Sequence, residues 1–225
     1  EYNRPEMELD PTNPCLVRDP AKCILCGRCV RMCAEVQGTS IYSFAFRGLN
    51  ARVTTAFDMG LGEVSCTFCG QCRKVCPTGA ITVRSDTQRV WDALRDPDKV
   101  VMVQTAPSVR VAISEPFGGK PGDLNTGQMV SALRRLGFDK VFDTNWAADL
   151  TIMEEGTELI GRVTKGGKLP MITSCSPGWI NFIELNYPDL LDNLSTAKSP
   201  QSMFGAMLKT YYAKKQGIDP SKIVS

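Results

Sequence analysis

Residues 23–33 read CILCGRCVRMC and residues 66–76 read CTFCGQCRKVC. The two stretches share every cysteine position and the central glycine, Gly27 or Gly70. Cys23, Cys26, Cys29 and Cys33 follow C-x2-C-x2-C-x3-C. Cys66, Cys69, Cys72 and Cys76 repeat that spacing, and Pro77 comes next. This is an internal repeat of a ligand loop. Cysteines at i, i+3 and i+6 wrap one face of an iron–sulfur cube. The fourth enters a following helix too soon to close the same cube, so it reaches the other one.

That crossing is the arrangement of two-cluster ferredoxins of the bacterial type. It assigns Cys23, Cys26, Cys29 and Cys76 to one [4Fe–4S] cluster, and Cys66, Cys69, Cys72 and Cys33 to a second. The two glycines let the backbone pass close to the inorganic core and take a positive φ where needed. A pair of zinc sites is the alternative. Zinc modules usually present two separated ligand pairs, not three equally spaced cysteines plus a fourth. Arg18, Lys22, Arg28, Arg31, Arg73 and Lys74 flank the loops. Cations there raise the potential of an anionic cluster, or simply form a solvated surface. Ala34 stands where a proline often follows the fourth cysteine, and Cys15 belongs to neither motif.

The composition narrows the chemistry further. The chain has 225 residues, 26 Lys and Arg against 24 Asp and Glu, ten cysteines and no histidine. The near-balance of charge argues against a nucleic-acid partner or an anionic membrane surface. Without histidine, Ser-His and Cys-His catalysis and His-ligated zinc are excluded within this chain. With 43% hydrophobic residues the chain can build a core, so the cysteines are not needed as a disulfide scaffold. No signal peptide is visible after Glu1, and no apolar run reaches the roughly 18 residues of a membrane span. A soluble, cytoplasmic protein with reduced thiols is expected. The missing initiator methionine and the strand-like Ile223-Val224-Ser225 at the end suggest a piece of a longer polypeptide.

After Asp86 the pattern changes. Val100–Gln104 is a compact β-branched run, typical of a buried parallel strand. A helix is predicted over 126–136, closed by Gly137, and a second strand over Lys140–Asp143. A helix over 147–163 stops at Gly166-Gly167. A third strand is predicted over 169–173. Ser176-Pro177 and Ser199-Pro200 each open a helix, with serine as N-cap and proline at the first position. The last helix presents Met203, Phe204, Met207, Leu208, Tyr211 and Tyr212 as its apolar face and ends at Gly217. Alternating strands and helices predict a parallel sheet, with ligands beyond the carboxyl ends of its strands. Thr105–Ser108, Asp143–Asn145 and Thr173–Pro177 occupy those ends.

Residues 16–84, with their long insertion 34–65, resemble a two-cluster segment shared by complex I large subunits, formate dehydrogenase subunits and [FeFe]-hydrogenases. The second half is more specific. TSCSPGW (173–179) closely resembles the first H-cluster signature of [FeFe]-hydrogenases, usually TSCCPGW. APSVR (106–110), FDTNWAADLTIMEEGTEL (142–159) and LSTAKSPQ (194–201) resemble that family in the same order. The resemblance implies an α+β two-cluster ferredoxin-like domain over 16–90, after a linker over 1–15. An incomplete α/β parallel-sheet lobe of the H-cluster domain follows over 91–225. It implies two [4Fe–4S] clusters, with the H-cluster, a [4Fe–4S] cluster joined to a diiron unit, only in the full-length protein. In the family pattern Cys175 hands protons to the diiron unit. Glu155, Glu158 and Ser195 match the relay behind it, and Arg162 an arginine beside the relay. Ala106, Pro107, Ser108, Lys198 and Gln201 match the lining of the diiron pocket. The implied reaction interconverts hydrogen with protons and electrons. The implied partners are flavin-containing, NADH-oxidising iron–sulfur subunits and ferredoxin, in a hetero-oligomer.

Helix periodicity adds an independent point. Glu155, Glu158 and Arg162 are spaced i, i+3 and i+7, so they share one helix face, where a carboxylate relay could run. Read without the resemblance, the Glu158–Arg162 pair is an ordinary decoration of a solvated face. Two departures stand out. Ser176 replaces the cysteine that ligates the active-site cubane, and serine is the poorer ligand. The later cysteine motifs of the family lie beyond residue 225, so this chain alone is expected to be inactive. A non-catalytic electron-transfer subunit with a degenerate hydrogenase lobe is therefore the alternative function. A relative of the hydrogenase-like cytosolic iron–sulfur assembly proteins ranks behind it.

Overall fold

The structure is a computed structural model and describes residues 7–225. Residues 1–6 of the linker predicted over 1–15 lie outside the described residues. The chain divides into two compact units. The first runs to Ser85 and takes back Ser176–Leu191, and the second holds Asp86–Cys175 and Asp192–Ser225. The boundary read from sequence at residue 90 falls inside a helix, Thr87–Arg95.

In the first unit, β1 (Leu16–Arg18) pairs antiparallel with the strand that closes the second cysteine repeat. The first repeat runs into α1 (Arg28–Arg31). The insertion folds as an antiparallel hairpin of β2 (Ser43–Ala45) and β3 (Arg52–Thr54), in register Ser43 with Thr54. The second repeat runs into α2 (Gln71–Val75), and β4 (Ile81–Val83) then returns to β1. The sequence repeat is also a conformational repeat. Gly27 and Gly70 both sit at φ +71°, and Leu25 and Phe68 both at φ +59°. Glycine takes the left-handed conformation freely. A side-chain-bearing residue pays ~1–2 kcal/mol for it, so its recurrence at matching positions marks a loop shape imposed by what the loop encloses. The core of the unit is Leu16, Tyr42, Val53, Leu61 and Ile81, with Cys33 and Cys72 buried among them.

The second unit opens with α3 (Thr87–Arg95), followed by β5 (Val100–Thr105), α4 (Thr126–Arg135), β6 (Lys140–Asp143) and α5 (Thr144–Lys165). The chain then gives α6 (Pro177–Asn186) to the first unit. It returns with α7 (Pro200–Met207), α8 (Ala213–Gln216) and β7 (Ile223–Val224). The sheet is parallel, in the order β6-β5-β7. The third strand is thus Ile223–Val224, not the predicted 169–173. Within that predicted strand Pro170 has no N–H to offer, and only Ile172 pairs, in a single parallel bridge to Leu194.

Between α7 and α8 the chain makes one π turn, Leu208–Tyr212, which rotates the apolar face read from sequence. Phe204 and Leu208 are buried, whereas Tyr211 stays exposed. Phe204 meets Phe142 edge-on at 5.2 Å and Trp146 at 5.9 Å. Met102, Ala147, Ala213 and Ile223 complete this core. No helix among the described residues is long and apolar enough to cross a membrane.

The two units have separate cores, so damage to one is expected to spare the thiols of the other. Phe204→Ala should cost about 3–5 kcal/mol of stability. Denaturant unfolding followed by aromatic fluorescence checks this, with iron content per chain expected to stay at the parent value.

Candidate functional site

The fourth cysteine of each repeat stands with the other repeat's trio. The thiols of Cys23, Cys26 and Cys76 lie near enough to Cys29 to act on it electrostatically. Those of Cys66, Cys69 and Cys33 surround Cys72 in the same way. Cys23, Cys26, Cys29 and Cys76 line one cavity together with Arg18, Gly27 and Tyr42. Among the described residues, no group of three His, Cys, Asp or Glu closes tightly enough to hold one metal ion. The first quartet rings a space instead. A multi-iron core needs such a space; a single zinc, with Zn–S at about 2.3 Å, does not.

The surroundings of these sulfurs are apolar walls with a few aimed donors. Burial, then the neighbouring thiols, push the Cys29 thiol up to about 11. Burial raises Cys72 to about 12 and raises Cys66 as well. Burial acts to raise Cys76 too, but the N–H groups of Thr78, Ile81 and Ala80 and the Thr78 hydroxyl hold it below its usual value. The Leu25 N–H donates to Cys23 Sγ at 3.4 Å and the Ile41 N–H to Cys33 Sγ at 3.3 Å. The Thr39 hydroxyl is 3.1 Å from Cys33 Sγ. The Tyr42 hydroxyl donates to Cys72 Sγ at 3.8 Å. Asn13 is fully buried, and its Nδ2 has no partner among the described residues, although the amide faces Cys66. An orphaned amide donor beside a thiol fits a site built for anionic sulfur. Of the flanking cations, only Arg18 is buried, with its guanidinium on the Val53 carbonyl at 2.7 Å.

In the second unit α5 carries a partly polar inward face. Ala147, Thr151, Glu155, Glu158 and Arg162 form its inward face. Ile152, Met153, Leu159, Ile160 and Val163 are 41–69% exposed on the outer one. The side chains of Arg162 and Glu158 are only 13% and 17% exposed, so this ion pair is no surface decoration. Glu158 Oε1 accepts from Arg162 Nε at 3.0 Å and Nη2 at 2.6 Å. Its Oε2 accepts from the Ser195 hydroxyl at 2.8 Å and from the Thr196 N–H at 3.0 Å. Burial works against the charged carboxylate, but the bonds from Ser195, Arg162 and Thr196 hold its pKa below the ordinary value. Arg162 also ties the carbonyls of Lys168, Asp192 and Leu194, at 3.1, 3.0 and 2.7 Å.

The structure therefore brings Glu158, Arg162 and Ser195 into one knot. Glu155 lies half-buried on the same face with no hydrogen bond among the described residues, and Cys175 is exposed and likewise unbonded. Ala106, Pro107 and Ser108 form the exposed loop after β5. Gln104, at the end of β5, donates to the Gln201 carbonyl at 3.2 Å, which draws the exposed Lys198–Gln201 turn to that loop. Arg110 Nη2 binds both oxygens of Asp143, at 2.9 and 3.0 Å, and so joins the first two strand ends. Ser174 reaches the Ala197 carbonyl at 2.5 Å, which ties the TSCSPGW strip to the 194–198 strip. Ser176 stands at the N-cap position of α6, but its side chain makes no capping bond, unlike Ser199 before α7. A Cβ on Gly178 would meet the Thr67 carbonyl at 3.3 Å and Cys69 Cα at 3.4 Å. The start of α6 therefore lies directly on the second thiol loop. Sequence reading missed Asn13, Thr39 and Tyr42. A polar residue in a loop carries no spacing signal, and only the fold brings Thr39 and Tyr42 of the insertion, and Asn13 from before β1, beside sulfur.

Known proteins match this arrangement in both halves. A 4Fe-4S dicluster domain family matches residues 22–80. The family described as iron only hydrogenase large subunit, C-terminal domain, matches residues 99–225. The NADP-reducing hydrogenase subunit HndD of Solidesulfovibrio fructosivorans is 54% identical over 215 residues, covering 93% of this chain and 37% of that protein. Iron hydrogenase 1 of Clostridium pasteurianum is 45% identical over 221 residues, covering 96% of this chain and 38% of that protein. The apo [FeFe]-hydrogenase HydA1 of Chlamydomonas reinhardtii superposes with a TM-score of 0.60 at 50% identity, over 63% of this chain and 37% of that one. The chain thus spans less than two fifths of the length of these two curated relatives. Two thiol quartets, an inward-facing carboxylate knot and these likenesses over nearly the whole sequence place the chain in the iron-only, or [FeFe], hydrogenase family.

Proposed function

We propose that this chain forms the electron relay and one wall of the active site of an [FeFe]-hydrogenase, which interconverts hydrogen with protons and electrons. The observation that carries the reading is the seat of α6. TSCSPGW leaves the lobe that holds the carboxylate knot and enters a helix lying on the Cys66–Cys69 loop. The electron-carrying thiols and the active-site motif are thus joined by consecutive residues. When bound, two [4Fe–4S] clusters would pass single electrons, and an H-cluster would supply the hydrogen chemistry. Cys23, Cys26, Cys29 and Cys76 would hold one cluster, and Cys33, Cys66, Cys69 and Cys72 the other. Ala106, Pro107, Ser108, Lys198 and Gln201 would wall the pocket, with Ser176 at its edge.

The proton side rests on Cys175, Glu155, Glu158 and Ser195. Ser195 and Arg162 together favour the ionised form of Glu158, so this carboxylate acts as an anchored acceptor that orients the Ser195 hydroxyl. Ser195 also accepts from the Ala197 N–H at 3.1 Å, so its oxygen can receive and hand on hydrogen bonds. Glu155 keeps its carboxylate free for a proton, and the Cys175 thiol can deliver one. The redox partners would be flavin-containing, NADH-oxidising iron–sulfur subunits and ferredoxin, in a cytoplasmic hetero-oligomer. The likeness to a subunit of an NADP-reducing hydrogenase supports a multi-subunit setting. Ser176 supports a second reading, a pure electron-transfer subunit with a degenerate lobe, because its hydroxyl replaces a thiolate ligand.

Iron and sulfide analysis separates the readings. The chain should bind eight irons. After maturation of the full-length protein with its accessory set, infrared bands of CO and CN ligands support the hydrogenase. Eight irons without such bands support the wire. Ligand crossing has its own test. Cys33→Ser and Cys66→Ser should leave the same residual EPR spectrum, and Cys76→Ser and Cys29→Ser the other. Like pairing of Cys33 with Cys29 would refute it.

Glu158 gives a pH signature. Its folded pKa lies below the ordinary 4.5, so its stabilisation is complete above about pH 4.5 and is lost as pH falls through the folded value. Glu158→Gln should therefore be less stable than the parent at neutral pH. In denaturant titrations the gap is expected to close as the solution is acidified below pH 4.5.

A further inference from the structure

Tyr42 takes no part in the ligand sets or in the carboxylate knot. It lies in the insertion, just before β2, and is 4% exposed. Its side chain forms part of the wall of the cavity lined by Cys23, Cys26, Cys29 and Cys76. Its hydroxyl donates to Cys72 Sγ, in the other quartet, at 3.8 Å. One buried side chain therefore stands against both sets of thiols. Arg18, which lines the same cavity, is the nearby cation.

The geometry points to Tyr42 as a positioning residue for electron transfer between the two clusters, its ring filling the space between the quartets and its hydroxyl setting the reduction potential of the cluster held by Cys33, Cys66, Cys69 and Cys72. The inference rests on the two-cluster reading above. Its physical basis is simple. Reduction adds negative charge to the cluster and its thiolates. A donor fixed on a ligand sulfur stabilises the reduced form more than the oxidised one, so it raises the potential. Burial keeps water from replacing that donor. The other polar groups on this quartet point the same way. Ile41 and Thr39 meet Cys33, and the orphaned Asn13 amide faces Cys66. These three, like Tyr42, come from outside the cysteine repeats, whereas the Phe68 N–H on Cys66 comes from within the second one.

Tyr42→Phe removes the hydroxyl and keeps the ring. Parent and variant chains would be reconstituted with iron and sulfide and titrated electrochemically, with EPR as the readout. Cys26→Ser and Cys69→Ser versions identify the two signals. The variant should hold eight irons. The reduction equilibrium constant of the cluster on Cys33, Cys66, Cys69 and Cys72 should fall by about tenfold, which is ~59 mV for one electron. The other cluster should stay unmoved. Eight irons with neither potential moved, or with both moved equally, would overturn the role of Tyr42. A parent chain that does not hold two [4Fe–4S] clusters would instead overturn the two-cluster reading. If only the variant fails to load, the parent labelled with ring-deuterated tyrosine decides. A deuterium hyperfine coupling on the reduced second cluster is expected, and its absence refutes the placement.

Discussion

Everything in the first unit depends on the exchange of one cysteine between two loops. Cys33 stands with the trio of the second repeat, and Cys76 with the trio of the first. Each grouping draws thiols from both repeats. The loops must therefore fold against each other, and the paired left-handed residues at Leu25, Gly27, Phe68 and Gly70 shape both in the same way. Much of the unit's core is sulfur. Cys33 and Cys72 are buried among Leu16, Val53, Leu61 and Ile81. Thiols pack there as small hydrophobes, and the same positions present sulfur to the interior.

A second inversion organises the other unit. An isolated amphipathic helix would turn its apolar stripe to the core and its charges outward. In α5 the face of Glu155, Glu158 and Arg162 looks inward, while Asp149, Glu154 and Lys165 stay exposed. Desolvating Glu158 and Arg162 is costly, and the knot survives because nearly every polar atom has a partner. Two carboxylate oxygens take five donors, and the guanidinium also holds four loop carbonyls. Those carbonyls belong to Lys168, Asp192, Asn193 and Leu194, so the ion pair also stitches two loops to the helix.

The helix α6 shows how the halves of the sequence depend on each other. Ser176–Leu191 follows the lobe in the chain but packs with the thiol unit. Gly178 makes this possible, since a side chain there would press on the backbone of the Cys69 loop. The tight approach explains why a glycine follows the proline that starts this helix. It also explains why a linear partition of the chain cannot describe its packing.

The grouping of the thiols, the parallel β5 and β6, and the helices with their serine-proline starts were legible because each has a local cause: fixed spacing, an apolar run or the proline at a helix start. The shared face of Glu155, Glu158 and Arg162 was legible from periodicity alone. Which way that face points was not, since burial is decided by the 192–196 loop, about thirty residues away. The third strand went to Ile223–Val224 because pairing depends on which distant segment reaches β5 with a free N–H, and Pro170 breaks the nearer candidate. Ser176 looked like a cap and makes no capping bond. Tyr42 and Asn13 carried no signal because their meaning lies in a thiol far along the chain. Sequence by itself determined the donor chemistry, through residue identity and spacing. Only the tertiary structure decided which donors meet which sulfurs and which charges are buried, because long-range packing sets the local dielectric and the hydrogen-bond partners.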